Sequence, residues 1–105
     1  MNAQFKKGIL ELCVLSLIRR RDYYGYELVE EISKQFEISE GTIYPILRRL
    51  TDEKYFETYL RESSSGPPRK YYRLTDEGRA AHAQLLREWN DFDRQVKSLL
   101  NGEAT

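Results

Sequence analysis

Apolar and polar positions divide the chain into four helical stretches and one pair of strands. Eight of the ten positions from Ile9 to Ile18 are apolar, interrupted by Glu11 and Ser16. That pattern predicts a helix over Phe5–Arg20, buried on nearly every side. Arg19, Arg20 and Arg21 close it, where cations suit the negative end of the helix dipole. Asp22 is placed to cap a second helix, Tyr23–Phe36. Tyr26, Val29, Ile32, Ser33 and Phe36, with Leu28 beside them, form its apolar face, and Glu27, Glu30, Glu31 and Lys34 its outer side. After a break at Glu37–Ser39, Ser39 caps a third helix, Ser39–Leu50. Tyr55–Glu62 and Arg69–Leu74 are rich in aromatics and alternate in side, as strands do, and Ser63–Pro68 between them is turn chemistry. Thr75 caps the last helix, with Asp76 and Glu77 in its first turn, and the pattern runs to about Leu100.

At 100° per residue the third helix has two unlike faces. Ile43, Ile46, Leu47 and Leu50 gather on one side; Gly41, Tyr44, Pro45 and Arg48 gather on the other, with Arg49 at its edge and Thr42 at the boundary. Pro45 removes a donor and crowds the carbonyl of Gly41, and Gly41 itself weakens a helix. A small Gly and a flat Pro let the first turns approach a groove wall. A helix, a short turn and a second helix with a polar face form a helix-turn-helix, and a hairpin directly after it is a wing. Gly41, Thr42, Tyr44, Pro45, Arg48 and Arg49 are therefore candidates for the DNA face. Arg61, Arg69, Lys70 and Arg73 are candidates for phosphates at the wing. On the second strand Arg69, Tyr71 and Arg73 share one side, and Lys70, Tyr72 and Leu74 the other.

Leu85, Trp89, Phe92, Val96 and Leu99 follow a 4-3-4-3 spacing that extends back to His82 and Gly78. A heptad stripe on a helix of about 38 Å outreaches a small domain, so it implies a second copy of the chain. The last helix is expected to pack on the partner's first helix, its last helix, or both, with Ile9, Leu10, Leu85, Trp89, Phe92, Val96 and Leu99 as the dimerisation residues. The fold class expected is mainly α with a two-stranded β-wing (α+β): a winged helix-turn-helix over residues 1–75, and a C-terminal dimerisation helix with a short tail over 76–105.

Composition narrows the function. The 105 residues are 40% hydrophobic and 32% charged, with 17 basic and 17 acidic side chains. Zero net charge gives nucleic acid little help overall, but the charge is uneven. Residues 39–74 carry seven positive and five negative charges, and residues 75–105 four and six. One cysteine, Cys13, excludes an internal disulfide and reads as a small hydrophobe. One Cys and one His, His82, cannot build a typical zinc site, so no metal or cofactor is expected. There is no nucleophile–base pair and no phosphate-cradling glycine loop, so the chain does not read as an enzyme. Neither a signal peptide nor a membrane-length run is evident, which reads as cytoplasmic. The two functions left are a DNA-binding regulator and a winged-helix protein-interaction module.

YGYEL at Tyr24–Leu28, EGTIYPILRRL at Glu40–Leu50 and PRKYYRLTDEGR at Pro68–Arg79 resemble the PadR family of transcriptional regulators. The resemblance covers almost the whole chain. It implies a homodimer on an inverted-repeat operator in double-stranded DNA, acting in most members as a repressor. The length is similar to the small branch, with a single C-terminal helix. In that branch some members regulate multidrug transporters, and a tryptophan matching Trp89 lines a pore between subunits and stacks on planar aromatic compounds. Trp89, with Leu85 and Phe92, is thus either a dimer-core aromatic or the platform for an aromatic effector, with the acids Glu88, Asp91 and Asp93 nearby to favour a cationic one. The sequence departs from the family in two places. Asp52-Glu53-Lys54-Tyr55-Phe56 lacks the glycine of the usual turn into the first strand, and the wing has Gly66-Pro67-Pro68 where Gly-Arg is common.

Overall fold

The first helix organises the core. In the computed structural model, which describes residues 3–102 and side chains from Lys6 onward, α1 spans Ala3–Arg20. The ends of the two expected units, residues 1–2 and 103–105, lie outside the described residues. Leu10, Val14, Leu15 and Ile18 form the fully covered side of α1; Ile9, Leu12, Cys13 and Leu17 are half-buried. Burial raises the pKa of the Cys13 thiol, in keeping with its reading as a hydrophobe.

The remaining elements in order are β1 (Tyr23–Tyr24), α2 (Gly25–Ser33), α3 (Glu40–Asp52), β2 (Phe56–Ser63), β3 (Gly66–Leu74) and α4 (Asp76–Leu100). The sheet is antiparallel in the order β1-β3-β2. Its inner face sends Tyr23, Phe56, Tyr72 and Leu74 into the core formed with Leu28, Val29 and Ile32 of α2 and Ile43, Ile46, Leu47 and Leu50 of α3.

Three expectations about local structure need correction. First, the wing is part of a three-stranded sheet, because Tyr23 pairs with Tyr72 and Tyr24 with Tyr71. The second helix therefore starts at Gly25 rather than Tyr23, and ends at Ser33 rather than Phe36. Asp22 does not cap it. The Tyr24 amide donates to Glu27 Oε1 at 3.0 Å instead, while the Tyr59 hydroxyl donates to Asp22 Oδ2 at 2.6 Å. Gly25, Leu28, Val29 and Ile32 are the buried face of α2, and Tyr26 is 47% exposed. Second, the hairpin turn is Ser64–Ser65, and Pro67 and Pro68 lie inside β3. The register shifts between Arg61 and Ser63, so these prolines sit at a bulge, where a missing ladder donor costs little. Third, the stripe on α4 has an intrachain partner at its start. Gly78 and His82 are buried against the body. A Cβ at Gly78 would run into the Tyr55 carbonyl oxygen and the Leu74 side chain.

The departure at Lys54 resolves into a backbone feature. The Tyr55 amide donates to Leu50 O at 2.9 Å and the Lys54 amide to Thr51 O at 3.0 Å. Those two bonds are the Schellman closure of a helix C-terminus, which needs a left-handed residue between cap and exit. Lys54 supplies it at φ 70°. The turn keeps its geometry, and a lysine carries a conformation that glycine holds without steric cost.

Two expectations follow. Lys54→Gly should raise stability by about 1 kcal/mol, read as a shift in urea midpoint at constant slope. His82 Nε2 shares a 2.9 Å hydrogen bond with the Ser16 hydroxyl, and burial, then Arg19, lowers its pKa from 6.5. The unfolded chain thus takes up the proton first as pH falls. Stability should be level above 6.5 and drop below it, by up to about 1.4 kcal/mol per pH unit. Urea titrations at several pH values should show this segment of the dependence disappear in His82→Gln.

Candidate nucleic-acid interface

The outward side of α3 carries the candidate face. Its N-cap Ser39 is extended (φ −118°, ψ 167°), and the Thr42 amide donates to the Ser39 carbonyl at 3.0 Å rather than to its hydroxyl. Ile43, Ile46, Leu47 and Leu50 are buried, so the helix is fixed in rotation by its apolar side. Gly41, Pro45 and Arg48 are exposed and Thr42 half-exposed along the opposite edge. Pro45 lies within the helix, as expected.

Tyr44 plays a more internal part than expected. It is half-buried, and a Cβ at Gly25 would come within 3.0 Å of its ring. The glycine of Tyr24–Leu28 is thus what lets α2 and α3 approach. Burial, followed by the charge of Glu40, raises the pKa of Tyr44, so its hydroxyl stays protonated and neutral at ordinary pH.

Three lysines join this edge from other elements. A hollow of about 510 Å³ is lined by Lys6, Lys7, Gly41, Thr42 and Pro45, with Leu10 and Ile46 at its floor. Lys6 Nζ donates to Glu37 O at 3.1 Å, which holds it beside the start of α3. Lys6 and Lys7 did not stand out in the sequence, because a Lys pair ahead of an apolar helix looks like ordinary solubilising charge. At the other end, a cleft of about 390 Å³ is lined by Tyr44, Arg48, Thr51, Asp52, Lys70 and Tyr72. Lys70 is on the inner side of β3, its Nζ 5.8 Å from the centre of the Tyr72 ring. It therefore belongs with Arg48.

The other expected wing cations lie on the opposite side of the sheet. Tyr59 and Tyr71 stack there at 5.7 Å and 17°, with Tyr24 6.0 Å from Tyr71. Arg61 lies over Tyr71, Arg69 over Tyr24 and Arg73 over Tyr59, at 4.7, 4.9 and 5.2 Å. Arg73 also pairs with Glu57 at 3.1 Å. Arg61 and Arg69 face each other across the strands close to the turn.

Arg49 departs furthest from its expected place. It turns from the outward edge of α3 to form ion pairs with Glu11 of α1 and, at 3.3 Å, with Glu53.

The residues expected to hold an effector do come together. Leu85, Trp89 and Phe92 line a hollow of about 250 Å³ with Gly8, Ile9, Leu12 and Glu88. Trp89 and Phe92 stand 6.5 Å apart at 45°. Trp89 also borders a second hollow of about 470 Å³, reached from Leu12, Cys13, Leu17, Phe36 and Leu86. Leu10 is not on this surface: it is fully buried in the chain's own core, one helical step from Ile9, so it is unavailable to a second copy. Beyond Trp89, Phe92 is 47%, Leu99 85% and Leu100 77% exposed. Among the described residues no group of His, Cys, Asp and Glu is placed to hold a metal. No described helix is long and apolar enough to cross a membrane.

This architecture has a family. The model of the PadR-like family of transcriptional regulators matches residues 14–84. The chain belongs to that family. A PadR-like transcriptional regulator from Bacillus cereus superposes with a TM-score of 0.86 at 42% identity, covering 96% of this chain and 100% of that one. The transcriptional regulator Rv3488 of Mycobacterium tuberculosis is 30% identical over 89% of this chain and 87% of its own. The negative transcriptional regulator PadR of Bacillus subtilis is 29% identical over 77% of this chain but only 44% of its own length. The function is therefore transcriptional regulation, not catalysis, and the fold is the winged helix of PadR-like regulators.

The division of the wing yields a paired expectation. Lys70→Ala should lower the slope of log affinity against log salt by about 0.9, the loss of one phosphate contact. Arg73→Ala, on the far side and already paired with Glu57, should leave that slope unchanged. Filter binding to duplex DNA across a salt series reads both.

Proposed function

We propose that the protein is a homodimeric repressor that binds an inverted-repeat operator, one α3 helix in each of two major-groove segments. The observation that carries this reading is the outward edge of α3. Gly41, Thr42, Pro45 and Arg48 are left uncovered between Lys6 and Lys7 at one end and Lys70 at the other. Basic groups at both ends position a helix on phosphates, and the small residues between them let it enter the groove. Arg48 is the side chain suited to a base edge. Arg61 and Arg69, near the turn, reach flanking phosphates.

The dimer in this reading is built on the far half of α4. Phe92, Leu99 and Leu100 are too exposed for a lone helix in water, and Ile9 and Trp89 continue the same apolar surface onto α1. Repression accords with the name of the Bacillus subtilis relative, a negative regulator. The hollows on either side of Trp89 take a planar aromatic effector, with Glu88 at the rim to favour a cationic one.

Selection from a random duplex pool tests the first part, and should return an inverted repeat with half-sites about one helical turn apart. Sedimentation should give a dimer for the native chain and a monomer for Leu99→Glu. That variant should keep its helix content and lose at least about tenfold in operator affinity. A native chain that sediments as a monomer, or a pool that returns no motif, defeats the proposal, and the second outcome favours a protein-interaction module. Because the chain has one tryptophan, a planar cationic dye in the hollows should quench its emission, and Trp89→Ala should abolish dye binding as read from the dye's own fluorescence.

A further inference from the structure

The apolar stretch Ile9–Ile18 of α1 contains two polar residues, and each makes a single tie to another helix. Ser16 bonds His82 of α4. Glu11 forms an ion pair with Arg49 of α3. The Glu11 side chain is 19% exposed and that of Arg49 35%. Removal of Arg49 leaves the half-buried Glu11 carboxylate without its counter-charge. Arg49 also holds Glu53 one turn further along α3. Its guanidinium thus fastens the C-terminal half of the helix to α1 on the side away from Arg48.

The apolar side of α3 fixes which way the helix faces the core, and the Glu11–Arg49 pair ties it to α1 at a further point on its circumference. Arg48 is the next residue to Arg49, so the angle at which Arg49 is held sets the direction in which Arg48 leaves the helix. Leu12, the residue after Glu11, lines both hollows beside Trp89. The pair therefore joins the helix that borders those hollows to the helix with the outward edge.

We propose that Arg49 is a positioning residue for operator recognition, acting through Glu11 and not through contact with DNA. This rests on the reading of α3 as the DNA-reading helix. The test uses the full chain and a duplex selected by it, beside the same duplex with its bases shuffled. Glu11→Gln is nearly isosteric and should fold. It removes a negative charge, so by simple electrostatics it would tighten binding to both duplexes. The expected result is instead a loss of about tenfold in the ratio of selected to shuffled affinity, with the salt slope unchanged. Arg49→Gln should behave alike, and the exchanged pair Glu11→Arg with Arg49→Glu should restore most of the ratio. Three results would overturn the proposal: an unchanged ratio in Glu11→Gln, a lower salt slope in Arg49→Gln, or an exchanged pair no better than the worse single variant. If the native chain selects no duplex, the DNA-reading proposal itself has failed, and that outcome is separate from the other three.

Discussion

A helix that is apolar nearly all the way round has to be covered on every side, and the rest of this small protein is arranged to cover α1. The sheet, α2 and α3 close over Leu10, Val14, Leu15 and Ile18. The first turns of α4 cross it at Ser16 and His82. What 105 residues cannot cover are Ile9, Leu12, Cys13 and Leu17, which stay half-buried beside Trp89. The incompleteness of the core leaves an apolar strip of α1 beside the last helix. A domain of this size buries too little of its surface to finish such a helix alone.

Much of this was legible in the pattern of residues. The period of α3 located its buried and outward sides correctly, because four apolar residues at helical spacing leave little choice of rotation. Alternation along β3 correctly separated Arg69, Tyr71 and Arg73 from Lys70, Tyr72 and Leu74. It could not say which side met the core, since both sides carry tyrosine and cations. The two-residue strand β1 escaped notice because two residues have no period, and Tyr23 looks as suited to a helix as to a strand. Leu10 and Ile9 were interchangeable in the sequence. Only the tilt of α1 against the sheet distinguishes them. Arg49 looked like the edge of a basic face because its acidic partner, Glu11, lies 38 residues earlier. Pairings at that distance leave no periodic trace.

The same limits explain the electrostatics. A net charge of zero argues weakly for nucleic acid, but the fold sorts the charges. Arg49 and Arg73 are spent on Glu11, Glu53 and Glu57. Lys6, Lys7, Arg48 and Lys70 are brought to one edge from three separate parts of the chain. Arg61 and Arg69 are splayed over tyrosine rings, which limits their rotamers and stiffens the hairpin close to its turn.

The tight seat of Gly78 has a mechanical meaning. There the backbone of α4 presses on the Tyr55 carbonyl and Leu74 with no room for a methyl group, and the helix then runs on to Leu100. From His82 to its end the helix is a stiff arm of about 27 Å. A tilt of a few degrees at the seat displaces the far end by about 2 Å, on the order of the shifts that repack a helical interface. The glycine thus works as the bearing of a lever. In a dimer joined along those arms, the distance between two reading helices would be set by the fit of one missing side chain.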